Sequence, residues 1–272
     1  MSDNELIVER HGPLAVMTID RPKVHNALNA ATLRRLAQAF EGFATAGGIG
    51  AIVITGAGAR AFSAGADLDE LTGLDAEQAH ATLAAGQRTM RIIEHSSVPV
   101  IAAVNGLALG GGFELVLAAD LPVLSTAAEL ALPESGLGLI PGYGGTQRLA
   151  RFVGAPVAAY LMLTGERLPA DRAYELGLAP LPPVQPDDLL PTAMQLGRDI
   201  AARGPRAQQA ILRLLRSGAP SDQDLALETA TAAIATGSPE AAEGIGAFRE
   251  RRAPVFLAGP AREGHQEGRS GE

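Results

Sequence analysis

The order of hydrophobic and polar positions predicts alternating strands and helices in the first half of the chain. Two alternating segments flank Gly12 and Pro13 and predict a β-hairpin, and apolar residues at helical spacing predict helices over residues 29–43 and 75–95. The predicted strands cover residues 6–8, 14–19, 51–54, 99–104, 121–124 and 129–132. This strand–turn–helix order is typical of α/β proteins.

The pattern becomes wholly helical after Gly145. It is interrupted at residues 177–186, where four prolines within seven residues cannot continue a helix. Further helices are predicted over residues 187–203, 205–215 and 221–236, with another beginning at Pro239. Their apolar stripes need a partner surface, which predicts a helical appendage packed on the core or on another subunit. The polar, glycine-rich residues from Gly259 onward are expected to be disordered.

Composition limits the class of protein. A chain of 272 residues with 47% hydrophobic content can bury a sizeable core as one large domain with an appendage. The N-terminus lacks a basic region followed by an apolar one, and no apolar run approaches the ~20 residues that span a bilayer, so we expect a cytoplasmic protein. The absence of cysteine excludes disulfides and a thiol nucleophile, and the five scattered histidines offer no metal-ligand spacing.

The charge distribution argues against nucleic-acid binding. The net charge is −8, Lys23 is the only lysine, and the arginines are scattered apart from a group at 249, 251 and 252. Nucleic-acid binding draws most of its affinity from clustered cations that neutralise phosphates.

Two glutamates beside a glycine run carry the strongest chemical signal. Residues 110–112 are three glycines that are predicted to open a helix, where backbone N–H groups at the positive end of the dipole suit a developing oxyanion. Glu114 follows them, and Glu134 lies twenty positions later. Two carboxylates there could move protons. Each feature also has a structural alternative: the glycines could serve tight packing, Glu114 could complement the helix dipole, and Glu134 could be a solvated loop acid.

Five ordered motifs together resemble the enoyl-CoA hydratase/isomerase (crotonase) family, and the similarity extends to Phe256. The motifs lie at residues 21–28, 61–68, 109–114, 132–136 and 141–149. The resemblance implies an α/β fold, with a crotonase-like spiral of ββα units over residues 1–186 that carries an acyl-CoA site. It also implies a C-terminal α-helical trimerisation region at residues 187–258, followed by the tail at 259–272.

The resemblance implies a catalytic role for particular residues. The thioester oxygen would accept hydrogen bonds from the backbone N–H groups of Ala66 and Gly111. Glu114 would accept a proton from water as it attacks C3, Glu134 would protonate C2, and the Gly142 backbone would help to place the water. The implied reaction is syn addition of water to 2-trans-enoyl-CoA, giving 3-hydroxyacyl-CoA. Since close carboxylates push their pKa values apart, one of the pair is expected to be protonated near neutral pH.

The resemblance implies that coenzyme A enters as part of the substrate, and no permanently bound cofactor is expected. The resemblance places Lys23 near the nucleotide, Phe248 beside the adenine, and Arg251 on a phosphate of a neighbouring subunit's substrate. The implied assembly is a homotrimer or a dimer of trimers. Further substrate-contacting positions are Ala64, Leu68 and Asp67, and Asp67 is expected to cap or brace its loop.

Several alternatives remain open at this level. A Δ3,Δ2-enoyl-CoA isomerase generally needs one carboxylate, and the presence of both favours hydration. A catalytically inactive scaffold would be expected to lack a glycine or a glutamate of the site, and an RNA-binding relative would be expected to carry a lysine-rich segment. Tyr143 either shapes the pocket or covers a turn. The pocket-lining stretch 71–93 contains small residues that could admit long or branched acyl chains: Thr82, Ala84, Ala85 and Gly86.

Overall fold

The strands and helices of the computed structural model are described for residues 5–216 and 221–254. The strands are β1 (Leu6–His11), β2 (Leu14–Ile19), β3 (Ala51–Gly56), β4 (Ala61–Ser63), β5 (Val100–Val104), β6 (Leu107–Leu109), β7 (Leu121–Leu124), β8 (Glu129–Ala131) and β9 (Leu168–Pro169). The helices are α1 (Ala30–Ala46), α2 (Leu68–Leu71), α3 (Ala76–Glu94), α4 (Gly111–Ala118), α5 (Gly145–Val153), α6 (Ala155–Thr164), α7 (Ala170–Glu175), α8 (Pro186–Ala201), α9 (Pro205–Arg216), α10 (Asp222–Thr236) and α11 (Pro239–Glu250).

The strands form two sheets that the chain visits in turn. The first sheet has the order β1-β2-β3-β5-β7 and the second has the order β4-β6-β8-β9. Only the outer pairs β1–β2 and β8–β9 are antiparallel. Since β3, β5 and β7 are each followed by a strand of the other sheet and then by a helix, the chain advances as a spiral of ββα units. This confirms the predicted architecture.

The predicted helix starts are explained by side-chain caps. Asn29 precedes α1 and accepts a hydrogen bond from the backbone of Thr32 over 2.8 Å. Asp75 precedes α3 and exchanges reciprocal hydrogen bonds with Gln78 in a capping box. Such caps satisfy backbone N–H groups that have no partner within the helix.

The main core fills the space between the two sheets and helices α1, α3 and α4, and it includes fully buried Met17, Ile54 and Phe113. The opposite face of the first sheet is covered by α8, whose Leu189 and Ala193 pack against Val53 and Ile101. Helix α10 packs along α3, and the Gln87 side chain donates to the Leu225 carbonyl over 2.7 Å. Helices α8 and α10 of the predicted appendage therefore pack on the core of their own chain.

One part of the expected pattern was wrong. The region after Gly145 is not wholly helical, because β9 adds to the second sheet beside β8. The expected disordered tail at 259–272 lies outside the described residues. Within the described ranges, no helix combines the length and apolar character required to cross a bilayer.

Candidate active site

A cavity of about 560 Å³ is lined by residues that follow strands of the second sheet. Ala64, Ala66 and Leu68 follow β4, and Gly110 and Gly111 follow β6. Pro133 and Glu134 follow β8. Because β4, β6 and β8 run parallel, their carboxyl ends meet at one edge, and the sequence motifs after each strand converge there.

Two residues of the cavity wall, Ala66 and Gly111, bring their backbone N–H groups close together. The strand-like pairing of Leu28 with the loop uses the Gly65 carbonyl and the Asp67 N–H, so the Ala66 N–H lies outside that pairing. The Gly111 N–H begins α4 and has no acceptor within the helix. A methyl group built on Gly111 would lie 3.2 Å from the Ala66 nitrogen, so the two groups border one space.

The loop that carries Ala66 is held by buried polar contacts. The Ser63 hydroxyl donates to the Asn26 carbonyl over 2.8 Å, and the Asn26 amide donates to the Ala61 carbonyl over 2.8 Å. Asp67 caps α2 and accepts a hydrogen bond from Arg21 over 3.0 Å. Asp67 thus braces the loop. Gly65 has a φ of 92°, a backbone conformation that residues with a side chain rarely adopt.

The Glu114 carboxylate is buried and oriented by backbone donors. It lies in the first turn of α4, and its Oε1 accepts from the N–H of Tyr143 over 2.8 Å and of Gly145 over 2.7 Å. Gly145 is the first residue of α5 and Tyr143 lies just before it, so the positive end of that helix points at the carboxylate. Burial nevertheless raises the pKa of Glu114 well above its ordinary value, and the nearby charges of Glu228 and Glu134 raise it further.

The Glu134 carboxylate belongs to a short 3₁₀ turn, Glu134–Leu137. The residue as a whole is partly exposed, but its Oε2 atom is buried and has no hydrogen-bond partner among the described residues. Burial, with a smaller contribution from Glu228, raises the pKa of Glu134 to about 8. The pKa values of both carboxyl groups are therefore raised, mainly by burial. The expectation that one group of the pair is protonated near neutral pH stays a prediction.

The Tyr143 ring fills space inside the cavity. The residue is only 2% exposed, and a methyl group on Gly86 would overlap its ring, while one on Gly111 would lie 2.9 Å from its ring carbons. Tyr143 thus lies in the cavity wall, which favours the pocket-shaping role of the two open ones. The small residue Gly86 does not make room for an acyl chain, since the ring occupies that room. From the same stretch, Leu71 and Leu83 line the cavity.

Most of the residues suggested by the family resemblance lie in the cavity wall: Ala64, Ala66, Asp67, Leu68, Gly111, Glu114, Glu134, Gly142 and Phe248. Lys23 lies in the exposed turn Pro22–Val24, whose Val24 lines the cavity. Arg251 lies exposed at the end of α11, outside this wall, whereas Arg249 of the same helix lines it. Phe248 is 61% exposed and lines the cavity of its own chain.

Sequence reasoning missed a buried polar layer behind Glu114. Arg148 is 2% exposed, donates to the Tyr143 carbonyl over 2.6 Å and pairs with Glu94 over 2.7 Å. Glu228 of α10 is 4% exposed and accepts the Thr146 N–H over 3.0 Å. The available signal was an acidic residue on an apolar stripe, since Glu228 lies at helical spacing between Leu225 and Ala232.

Comparisons with known proteins identify the family. The family model described as enoyl-CoA hydratase/isomerase matches residues 9–259. The chain is 37% identical over 260 residues to a crotonyl-CoA hydratase of Syntrophomonas wolfei, covering 95% of this chain and 100% of the relative. It is 40% identical over 265 residues to a 2,3-dehydroadipyl-CoA hydratase of Escherichia coli K12, covering 93% and 98%.

A solved structure gives the same result for the fold. The crystal structure of a carnitinyl-CoA hydratase from Mycobacterium avium aligns with a TM-score of 0.82 at 35% identity, covering 94% of this chain and 99% of that one. The crotonase-type fold is thereby confirmed. With the family model covering nearly all of the chain, this protein belongs to the enoyl-CoA hydratase/isomerase family of enzymes.

Proposed function

We propose that this protein is a 2-trans-enoyl-CoA hydratase that adds water across the double bond to give 3-hydroxyacyl-CoA. One observation carries the proposal. The carboxyl groups of Glu114 and Glu134, whose pKa values are both raised, line the same cavity as Ala66 and Gly111, which supply backbone N–H groups. Hydrogen-bond donors for an enolate and two groups for moving protons are what hydration of an enoyl thioester requires.

The two N–H groups stabilise the charge that develops on the thioester oxygen. When water attacks C3, electron density moves through C2 to this oxygen, which gains enolate character. Donors that are already in place interact more strongly with this state than with the substrate, and removal of one such donor typically costs about 3 kcal/mol.

The carboxyl groups divide the proton transfers between them. The N–H groups of Tyr143 and Gly145 both donate to Glu114 Oε1, and we call this pair of hydrogen bonds the Glu114 clamp. The other oxygen, Oε2, is therefore the one that faces the water. Glu114 takes one proton as the water oxygen bonds to C3. Glu134, whose pKa is about 8, gives its proton to C2. Return of the proton from Glu114 to Glu134 restores the site, and delivery from one face gives syn addition.

Recognition of the coenzyme A portion is proposed for the mouth of the cavity. A polyanion needs local cations even on a protein of net charge −8. Lys23 is exposed beside the cavity wall and suits a phosphate, and the exposed ring of Phe248 suits the adenine. Arg251, exposed at the end of α11, is proposed to reach the substrate of a neighbouring subunit.

We also propose that the chain assembles as a homotrimer or a dimer of trimers. Exposed apolar side chains support a further interface: Leu163 is 78% exposed, Leu215 of α9 is 74% exposed and Leu227 of α10 is 68% exposed. Light scattering during gel filtration tests this assembly, and a monomeric mass at micromolar concentration would contradict it.

The function is tested with purified protein and three substrates: crotonyl-CoA, decenoyl-CoA and a 3-enoyl-CoA. Loss of the enoyl-thioester absorbance of crotonyl-CoA, with 3-hydroxybutyryl-CoA as the product, is the expected result. A gain of that absorbance from a 3-enoyl-CoA, without hydration of crotonyl-CoA, would show an isomerase instead. Crotonyl-CoA and decenoyl-CoA compared side by side define the acyl length.

A further inference from the structure

The backbone N–H groups of residues 143–146 donate alternately to two carboxylates, those of Glu114 and Glu228. The N–H groups of Tyr143 and Gly145 donate to Glu114, as described above. The Thr146 N–H donates to Glu228 Oε2 over 3.0 Å, and the Thr146 hydroxyl donates to the same oxygen. The Gly144 N–H also acts on the Glu228 carboxylate. The turn that supplies the two N–H donors of Glu114 is therefore also hydrogen-bonded to a residue of helix α10.

Helix packing alone does not account for Glu228. The side chain projects from the buried stripe of α10, and its Oε1 atom is buried without a hydrogen-bond partner among the described residues. A buried polar atom of this kind costs free energy, whereas an apolar residue at this position would pack without that cost. The contacts that Glu228 does make are with the turn that orients Glu114.

We propose that Glu228 is a positioning residue for hydration, which holds residues 143–146 so that Glu114 keeps the orientation needed to activate water. This inference rests on the proposed hydratase function. It makes α10 part of the catalytic apparatus, although no atom of Glu228 needs to touch the substrate.

Burial raises the pKa of Glu228, whereas its hydrogen bonds from Thr146 and Gly144 and the charge of Arg148 lower it, so an electrostatic consequence follows where Glu228 is ionised. Glu228 interacts electrostatically with Arg148 from α5, Glu114 from α4 and Glu134 from its 3₁₀ turn, and Arg148 is itself paired with Glu94 of α3. On α10 itself, Asp222 forms an ion pair with Arg91, and Asp224 accepts a hydrogen bond from the Ser221 hydroxyl. On α11, Arg249 pairs with Asp69, and Glu243 and Glu250 both pair with Arg252.

A negative charge at Glu228 raises the pKa of both Glu114 and Glu134. Its removal therefore lowers both values. The base form of Glu114 would become available at lower pH, and the acid form of Glu134 would be lost at lower pH. Both limbs of the pH–rate profile should move in the same direction, toward acid.

The test compares Glu228→Gln with Gln87→Leu, assayed with crotonyl-CoA. Glu228→Gln keeps the size and an acceptor oxygen but loses the charge. We expect kcat to fall about tenfold, KM to stay within about twofold, and both limbs of the kcat profile to move to lower pH by about half a unit or more. Gln87→Leu breaks another buried contact between α3 and α10, so it should lower the melting temperature without moving the pH profile.

Three results would overturn the role of Glu228. The first is a Glu228→Gln enzyme with wild-type kcat and an unmoved pH profile. The second is a loss of kcat with an unmoved profile and a lowered melting temperature, as in Gln87→Leu, which would indicate a packing role. The third is a profile that moves toward alkaline pH. Absence of hydration in the wild type would refute the proposed function itself, a result distinct from all three.

Discussion

The backbone N–H of Tyr143 donates to Oε1 of Glu114 over 2.8 Å, and both groups are buried. Gly145 supplies a second donor to the same oxygen over 2.7 Å. The carboxylate is therefore oriented by the fold before any substrate binds. Such preorganisation reduces the reorganisation needed at the moment of reaction.

Replacement of Glu114 should separate the contribution of the clamp from that of the charge. Glu114→Gln retains an acceptor for both N–H groups and removes a carboxylate whose burial raises its pKa, so its free energy of unfolding at pH 8 should equal or exceed that of the wild type. Glu114→Ala leaves two buried donors unpaired, which should cost about 2 kcal/mol or more. Urea denaturation at pH 8 measures both. Equal stability of the two variants would contradict the clamp.

The stability of the wild type should fall as pH rises from about 5 to about 8. The pKa of Glu134 is raised from 4.5 to about 8, so within this window the folded state binds more protons than the unfolded state. The stabilisation is complete below the unfolded value and is lost as pH passes through the folded value. Glu134→Gln should flatten this dependence in denaturation curves measured at several pH values. An unchanged slope in the variant would show that Glu134 has an ordinary pKa.

A methyl group at Gly111 should damage catalysis, because it would lie 3.2 Å from the Ala66 nitrogen and 2.9 Å from the Tyr143 ring. We expect Gly111→Ala to lower kcat/KM about 100-fold or more. Gly136→Ala is the matched control, since a methyl group there meets no atom within 4 Å and the residue lies in the same turn as Glu134. The control should change kcat/KM by less than about twofold. Similar losses in both variants would argue against an oxyanion site at Gly111.

The Tyr143 ring should limit acyl length. Because the ring fills the space between Gly86 and Gly111, Tyr143→Ala should raise the ratio of decenoyl-CoA to crotonyl-CoA hydration, expressed as kcat/KM, by about tenfold or more. Tyr143→Phe keeps the ring and should leave the ratio unchanged. If Tyr143→Ala slowed both substrates equally, the ring would have a structural role and no role in chain length.

Local signals allowed much of the fold to be predicted from the sequence. Asn29 and Asp75 mark helix starts because their side chains cap the first turn, and the glycines before α4 mark a strand-to-helix turn. The short strands β4, β6 and β9 were not predicted. Each has two or three residues, too few for alternation to be visible, and pairing within the sheet sustains them.

The site was predicted in part for a similar reason. Residues that lie in motifs, such as Glu114 and Glu134, were identified and now line one cavity. The contact between Thr146 and Glu228 joins residues 82 positions apart, and no local pattern contains it. The position of the Tyr143 ring likewise depends on the packing of α3 against α4. Gly86 leaves room for the ring, but a glycine in the sequence does not by itself predict what fills that room.

In the proposed mechanism, Glu114 and Glu134 act together on one water molecule. The most direct test measures crotonyl-CoA hydration by Glu114→Gln, Glu134→Gln and the double variant. If the pair works as a unit, each single change should lower kcat about 100-fold or more, and the double change should cost little beyond either one. Losses that multiply in the double variant, or a single variant with near wild-type kcat, would contradict the two-carboxylate mechanism.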